Sequence, residues 1–139
     1  TALHITRYGS NGRYDYVDFY YRPNTTRVFN IKQAPYNATG NDTNSDRQAI
    51  QSAIDDAAAY CMNGKCGATV YLPAGRYYLD GQIIIKPGVE LRGSHDVPHH
   101  PNVEISGNTF TNKGTILVME EDFPTNLIPI RMQANSNEG

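Results

Sequence analysis

The sequence predicts a domain of short β-strands with a single α-helix, folded as a solenoid or a sandwich. The apolar runs are short, as at residues 69–72 and 83–85, and each is followed by a turn or loop that contains Gly. The composition agrees, because 12 Gly, 8 Pro and 10 Tyr suit strands that are interrupted by sharp corners. Only one segment has the spacing of a helix, so a doubly wound sheet covered by helices is not expected.

The length and charge of the chain narrow the classes of function. With 139 residues, the chain has the size of one domain. Its formal net charge is -2 and its 12 basic residues are dispersed, which argues against a nucleic-acid partner. No apolar run approaches the ~20 residues of a membrane-spanning helix, so no membrane span is predicted. The chain begins at Thr1 without a signal-peptide pattern, and we expect a removed targeting segment or a start inside a longer product.

Residues 45–61 have the pattern of one amphipathic helix. Apolar residues recur three or four positions apart and form one face, which consists of Ala49, Ile50, Ala53, Ile54, Ala57 and Cys61. Ser45 followed by Gln48 fits a capping box, in which the two side chains bond to the unpaired N–H groups of the first turn. We therefore predict a helix cap formed by Ser45 and Gln48.

Short strands are predicted after the helix, at residues 69–72, 76–79, 83–85, 89–91, 103–105, 115–118 and 127–132. The segment Lys86-Pro87-Gly88 has the Pro and Gly of a type II turn. Before the helix, residues 1–31 form a Tyr-rich lead-in that we predict to be extended. Its aromatic rings could stack on sugars, but packing against the rest of the fold is favoured, because aromatic stripes usually belong to a core or an interface.

Two cysteines, Cys61 and Cys66, are separated by four residues. No His lies beside them at ligand spacing, so a zinc site is not expected. The alternatives are a local disulfide and two unpaired thiols. We favour the disulfide, because the turn at Asn63-Gly64 can bring the two sulfurs together and exported proteins form such bonds.

Three sequons for N-glycosylation begin at Asn24, Asn37 and Asn41. Three is a mild excess over chance for a chain with this content of Asn, Ser and Thr. The sequons therefore add limited support for an exported protein, and glycosylation at these three residues is a prediction.

Several motifs in a fixed order resemble the opening of pectate-lyase-superfamily proteins. After Phe29-Asn30-Ile31 and the loop 37–42, residues 49–54 are similar to that family's Ala-Ile-Gln-x-Ala-Ile. Residues 67–79 are similar to its Gly-Gly-Thr-Val-Tyr-Leu-Pro-Pro-Gly-Thr-Tyr, and residues 89–93 and 114–117 match its next coils. The chain departs from the pattern at Asn41-Asp42, where Asp-Gly is usual, and at Ser45, which replaces an Asp. The resemblance covers roughly residues 28–118.

The resemblance implies an all-β fold with one N-terminal capping α-helix. The fold would be a right-handed, single-stranded parallel β-helix, of which this chain holds the first coils only. Residues 1–31 would be the lead-in and residues 32–139 the cap and first coils, with the β-helix continuing beyond residue 139. Because stacked coils bury each other's apolar faces, the expected partner is the remainder of the same β-helix or an assembling subunit.

The resemblance also implies an extracellular protein that acts on or binds a polysaccharide, as a glycoside hydrolase or polysaccharide lyase, with this segment structural. The exo-β-1,3-glucanase type is one variant, because its opening is similar and also carries a close Cys pair after the helix. The alternative is a non-catalytic β-helix of a surface fibre, adhesin or phage tailspike-like assembly. The family's catalytic positions lie on later coils, so the sequence leaves open whether the whole protein is an enzyme.

No catalytic, metal or cofactor site is predicted in the chain itself. Its candidate carboxylates are expected on solvated surface, and they are Glu90, Glu104, Glu120, Glu121 and Asp122. Residues 95–100 contain three His and one Asp, which could bind a metal or a sugar, but a surface loop stiffened by proline is favoured. Asp42 and Asp46 lack the ligand alternation of a calcium-binding loop.

Overall fold

The computed structural model describes residues 2–8, 14–20, 23–94 and 114–133, and this part of the chain is mostly sheet with one helix. The strands are β1 (Ala2–Tyr8), β2 (Tyr14–Tyr20), β3 (Val28–Asn30), β4 (Cys61–Met62), β5 (Lys65–Cys66), β6 (Thr69–Tyr71), β7 (Gly75–Leu79), β8 (Ile83–Ile85), β9 (Glu90–Arg92), β10 (Thr115–Met119) and β11 (Ile130–Met132). The helix α1 (Arg47–Ala59) lies between β3 and β4. Two strand pairs, β1–β2 and β4–β5, are antiparallel.

The other described strands form three parallel stacks. Strand β6 lies between β3 and β9, β7 pairs with β10, and β8 pairs with β11. The chain runs through β6, β7 and β8 and then returns to β9, where Glu90 is the register partner of Thr69, 21 residues earlier. The segment from β6 to β8 and the segment from β9 to β11 therefore each place one strand in every stack, and the earlier β3 adds a strand to the first stack only. The stacks remain separate sheets, an arrangement that is compatible with a β-helix without forming a closed solenoid.

The hydrophobic core lies between these stacks and helix α1. Alternate residues of β7 and β8 point inward, since Tyr77, Leu79 and Ile83 are fully buried. The buried face of α1 consists of Ile50, Ala53, Ile54 and Ala57. These four residues confirm most of the predicted apolar face. Ala49 is half-buried, and Cys61 lies beyond the end of the helix, exposed in β4, so its predicted place on this face is wrong. Helix α1 packs on β3, β6, β7 and β8 and so covers one end of the core.

Gln51 of helix α1 protects the edge of β8 that does not pair with β11. Its Oε1 atom accepts the N–H of Ile84 at 2.9 Å, and its Nε2 atom donates to the carbonyl oxygen of Ile84 at 3.1 Å. The Nε2 group also donates to Asp55 Oδ1 at 3.1 Å, and Asp55 in turn pairs with Lys86 at 2.8 Å. An unpaired backbone group is costly where water cannot reach it. The Gln51 amide therefore replaces the strand that would otherwise pair with β8 at Ile84.

The predicted capping box of Ser45 and Gln48 is wrong. Helix α1 begins at Arg47, and its N-cap residue, Asp46, makes no side-chain capping bond. Ser45 lies one residue before the N-cap, where its hydroxyl accepts the Arg47 N–H at 3.3 Å and donates to Asp80 Oδ1 at 2.8 Å, and its backbone joins the β7 stack through a bridge to Tyr78. Gln48 Nε2 donates to Ser52 Oγ at 3.2 Å, one turn along the helix. Ser45 thus bonds to one N–H of the first turn, but Gln48 does not bond back to it, so the reciprocal box does not form.

The structure adjusts several of the predicted strands. The sequence places the final strand at 127–132, but only Ile130–Met132 pairs with another strand. Strand β3 lies before residue 31, where the sequence ends the lead-in, and it already belongs to the β6 stack. The predicted strand 103–105 lies outside the described residues. The predicted turn at Lys86-Pro87-Gly88 is confirmed, because Val89 N–H donates to Lys86 O at 3.2 Å and Gly88 has a φ of 79°.

Two glycines allow successive passes of the chain to touch at their corners. Gly67 precedes β6 and Gly88 precedes β9, so they occupy equivalent corners of neighbouring passes. A Cβ atom on Gly67 would lie 2.2 Å from the carbonyl oxygen of Gly88, and the φ of Gly67 is 128°. Only glycine combines that conformation with that approach. The corner therefore sets how closely the β6 and β9 passes stack.

Candidate functional site

The N-terminal cap contains a polar cleft between a tight turn and helix α1. The N–H groups of Tyr36 and Asn37 both donate to Gln33 O, at 3.0 and 3.1 Å, and Pro35 follows a cis peptide bond. Asn37 has a φ of 53°, which Asn tolerates better than most residues. The turn directs the Tyr36 hydroxyl to helix α1, where it donates to Asp56 Oδ2 at 2.5 Å.

The cleft has a volume of about 480 Å³. The residues that line it come from the turn and from one side of the helix, and they are Pro35, Tyr36, Asn37, Ala38, Ser45, Asp46, Gln48, Ala49, Ser52 and Asp56. These are hydroxyl, amide and carboxylate groups interspersed with small apolar side chains. The arrangement can hold a polar ligand by hydrogen bonds, with short apolar patches between them.

The electrostatics of the cleft keep Tyr36 a neutral hydrogen-bond donor. Partial burial, followed by the hydrogen bond and negative charge of Asp56, raises the pKa of Tyr36 well above its ordinary value. The second carboxylate of the cleft, Asp46, is buried and accepts the N–H groups of Thr39 and Gly40 at 3.2 and 3.3 Å. Asp46 is therefore used to fix the loop that leads into the helix.

A charged pair ties the start of the helix to the strand region. Arg47 Nε donates to Asp80 Oδ1 at 2.8 Å, and the Ser45 hydroxyl donates to the same oxygen. These bonds, first from Arg47 and then from Ser45, lower the pKa of Asp80. Asp80 is thus held as a carboxylate beside the first turn of α1.

The structure brings Cys61 and Cys66 together in a disulfide across the β4–β5 hairpin. The two cysteines are register partners, and the connecting residues Asn63 and Gly64 both have positive φ, as a type I′ hairpin turn requires. The hairpin is exposed and lies after the C-terminal end of α1.

The three sequon residues occupy different surroundings, although all are exposed. The Asn24 side chain donates to Cys66 O at 2.6 Å and so fastens the segment before β3 to the hairpin. Asn37 lines the cleft, and its amide reaches Pro35 O at 3.4 Å. Asn41 lies in the loop before the helix.

The expectation that Glu90 lies on solvated surface is wrong. Glu90 is only 7 % exposed, and its carboxylate accepts the Thr69 hydroxyl at 3.3 Å and lies 3.6 Å from Arg92 Nε. Thr69 and Glu90 are register partners in adjacent strands, which explains the contact. Glu120, Glu121 and Asp122 follow β10 and are half-buried or exposed.

Residues 95–100 and Glu104 lie outside the described residues. Within the described part of the chain, no three His, Cys, Asp or Glu residues lie close enough to hold a metal ion. Asp42 accepts the backbone N–H and the side-chain amide of Asn44, at 3.1 and 3.0 Å. It therefore shapes the loop before the helix.

Sequence reasoning missed the cleft and the role of Gln51. The periodicity of the sequence leaves Gln51 off the apolar face and gives it no partner, and the residue to which it bonds, Ile84, lies 33 residues away. Tyr36 and Asp56 are 20 residues apart. The available signal for Gln51 was its place between Ile50 and Ala53 at the border of the apolar face, where a polar side chain must find a partner.

One protein family matches most of the chain. Residues 28–136 match the family described as rhamnogalacturonase A/epimerase, pectate lyase-like. No helix in the described residues is long and apolar enough to cross a membrane. No solved structure matches the chain.

Curated relatives include two mannuronan C5-epimerases of Azotobacter vinelandii. The chain is 45% identical to AlgE1 over 73 residues, which is 48% of this chain and 5% of that protein. It is 41% identical to AlgE4 over 73 residues, which is 48% of this chain and 12% of that protein. A further relative is the plasmin and fibronectin-binding protein A of Streptococcus pneumoniae, 32% identical over 87 residues, 57% of this chain and 12% of that protein.

The matched region therefore corresponds to a small part of each of these relatives, at most 12% of their length. The family match is much broader with respect to this chain, because it begins at β3 and extends past β11. It includes the helix and all three parallel stacks. The chain belongs to the rhamnogalacturonase A/epimerase, pectate lyase-like family.

Proposed function

We propose that the chain is the helix-capped N-terminal end of a right-handed, single-stranded parallel β-helix. The observation that carries this proposal is the return of the chain, after 21 residues, from Thr69 to its parallel partner Glu90. Right-handed connection is the rule for parallel strands joined in this way. In this arrangement α1 shields one end of the core, and the segment has a structural role.

The opposite end of the stacks is suited to a further coil. Large apolar side chains are exposed on or beside the last described strands, and these are Met119, Leu127, Ile128, Ile130 and Met132. Met132 is 62% exposed although it lies in a strand. A coil that stacked on β10 and β11 would bury such groups. We propose that the remainder of the same β-helix, or an assembling subunit, supplies it.

We further propose that the whole protein is extracellular and acts on a polysaccharide. Support comes from the family and from the relatives named mannuronan C5-epimerases. Glycoside hydrolysis and polysaccharide lysis are the reaction classes that the sequence resemblance favours, and the names of the relatives add epimerisation. We assign the activity to the whole protein, because the chain aligns with at most 12% of the length of each of these relatives.

A second candidate is a β-helix that binds without catalysing a reaction. The relative named plasmin and fibronectin-binding protein A favours it. In this case the surface would recognise a glycan or a protein, and no opposed acid–base pair would be needed.

One experiment separates the two candidates. The native full-length protein is incubated with alginate, polygalacturonate, rhamnogalacturonan and β-1,3-glucan. New reducing ends indicate hydrolysis, unsaturated products absorbing in the ultraviolet indicate lysis, and a change in uronate composition by proton NMR indicates epimerisation. Any of these supports the enzyme. Retention on a polysaccharide column or on immobilised fibronectin without turnover favours the binding protein, and neither turnover nor retention contradicts both.

We also propose that the native protein carries the Cys61–Cys66 disulfide and N-linked glycans at Asn24, Asn37 and Asn41. The exposure of all three Asn residues supports modification. Peptide mapping of the secreted protein, with and without reduction and glycan release, tests each position separately. An unmodified Asn-containing peptide, or a freely alkylated cysteine, would contradict the proposal at that position.

A further inference from the structure

The cleft beside helix α1 has the size and the chemistry of a small-ligand site. Its volume of about 480 Å³ falls within the range of ~300–1,000 Å³ that is usual for such sites. It is formed by groups close in sequence, the 35–38 turn and the first turns of the helix. The cleft therefore exists independently of any coil that follows β11.

The walls of the cleft present groups that recognise hydroxyls. Asp56 accepts the Tyr36 hydroxyl through Oδ2, while its Oδ1 has no hydrogen-bond partner among the described residues. Gln48 and Ser52 lie one turn apart on the same wall and are joined at 3.2 Å. A carboxylate, an amide and a hydroxyl in one wall can accept and donate to several ligand O–H groups at once.

The charge of the cleft decides between classes of polar ligand. Two carboxylates, Asp46 and Asp56, line it, and no Lys, Arg or His is found among its described lining residues. A uronate, sulfate or phosphate would meet like charge from the walls, since Arg27, a cation whose charge acts on Tyr36, is not among the lining residues. A neutral polyol meets no such penalty. Ala49 and Tyr36, both half-buried, offer apolar surface to the C–H groups of a sugar ring.

We propose that this cleft binds a neutral pyranose unit. The site is separate from any catalytic site of the whole protein, and the inference stands whether that protein is an enzyme or a binding protein. Two sources provide the same chemistry. One is a sugar unit of an external polysaccharide, and the other is the first sugar of a glycan attached to Asn37, which lines the cleft.

The first test uses two ligands that differ only in charge. Methyl β-D-glucoside and methyl β-D-glucuronide are added to the full-length protein produced without glycosylation, at about 100 mM, which saturates a site of millimolar Kd. Hydrogen–deuterium exchange of peptides covering 33–38 and 47–56 is then measured by mass spectrometry. We expect protection of both peptides by the glucoside and none by the glucuronide. Equal protection by both ligands, or no protection of these peptides by the glucoside, would overturn the proposal.

Two adjacent carboxylates of the helix provide a matched pair of variants. Asp56→Asn keeps an acceptor for the Tyr36 hydroxyl and removes the charge inside the cleft, whereas Asp55→Asn alters a carboxylate outside it. We expect Asp56→Asn to raise the Kd for the glucoside about tenfold, as loss of a hydrogen bond to a charged group would. Asp55→Asn should leave it within a factor of about two. A larger increase in Kd for Asp55→Asn than for Asp56→Asn would contradict the proposed site.

A second arm distinguishes the two sources of the sugar. The protein is produced in a glycosylating host, as the natural sequence and as Asn37→Gln. If the attached glycan fills the cleft, the natural protein shows protection of 33–38 and 47–56 without added glucoside, and Asn37→Gln loses it. If the cleft serves an external sugar, both forms show protection only when glucoside is added. Protection under neither condition would refute both versions.

Discussion

Gln51 and Ile84 are joined by two hydrogen bonds between one side-chain amide and one peptide unit. The amide accepts the N–H of Ile84 and donates to its carbonyl oxygen. A neighbouring strand would make the same two bonds with its own backbone groups. The helix thus covers the end of the core and also supplies hydrogen bonds to the strand at that end. Covering the core with apolar side chains alone would leave this edge of β8 unpaired.

Replacing Gln51 by Ala should destabilise the cap, because both backbone groups of Ile84 then lose their partner. We expect a loss of about 2 kcal/mol in the free energy of unfolding and faster hydrogen exchange at Ile84. Gln48→Ala is the control, since the Gln48 amide bonds only to Ser52 among the described residues. Urea denaturation and exchange mass spectrometry measure the two effects. Equal losses of stability for the two variants would show that the bonds from Gln51 to Ile84 do not stabilise the cap.

Replacing Gly67 by Ala should be more harmful than replacing Gly64. Both have positive φ, but a Cβ on Gly67 would lie 2.2 Å from Gly88 O, whereas a Cβ on Gly64 meets nothing within 4 Å. Gly64→Ala should cost about 1–2 kcal/mol from conformation alone. Gly67→Ala should exceed this clearly, because the backbone must also move. The comparison is made by thermal unfolding, and similar Tm values for the two variants would be inconsistent with the close corner.

The Arg47–Asp80 pair should make stability depend on pH in the acidic range. The pKa of Asp80 is lowered in the folded chain, so its contribution is present above the unfolded value near 3.9 and is lost as pH falls through the folded pKa. Because the pair is partly exposed, with side chains 33% and 47% accessible, the contribution should be only a few tenths of a kcal/mol.

Asp80→Asn tests this dependence, with unfolding measured from pH 7 to pH 2. The variant should be slightly less stable than the natural sequence at pH 7, and the difference should vanish at the acidic end. A difference that persisted unchanged at pH 2 would mean that Asp80 acts through packing and not through its charge.

Opening the disulfide should loosen the hairpin more than the helix. By loop entropy alone, a bond that closes a loop this short contributes about 2 kcal/mol. We expect the Cys61→Ser, Cys66→Ser double variant to keep the far-ultraviolet spectrum of the natural protein and to unfold at a lower Tm. Exchange should rise in residues 60–68 and in the segment around Asn24, whose side chain donates to Cys66 O. An unchanged Tm would show that the Asn63-Gly64 turn already closes the hairpin.

Local patterns in the sequence were sufficient for the helix, its apolar face, the turn at Pro87-Gly88 and most of the strands that the structure describes. These features depend on residues within a few positions of each other, where periodicity and backbone preference act directly. The His-containing segment 95–100 and the strand 103–105 stay predictions. The family resemblance, which rested on the order of several motifs, is confirmed by the match over residues 28–136.

The tertiary structure alone decided how the polar side chains are used. The Ser45 hydroxyl donates to Asp80, the Gln51 amide bonds to Ile84, Glu90 is buried against Thr69, and Tyr36 bonds to Asp56 beside the cleft. In each case the partner is 20 or more residues away in the chain. A polar group bonds to the partner that the fold places within about 3 Å of it. The identity of that partner depends on the return of the chain from β6 to β9 and on the docking of α1, which local sequence patterns do not encode.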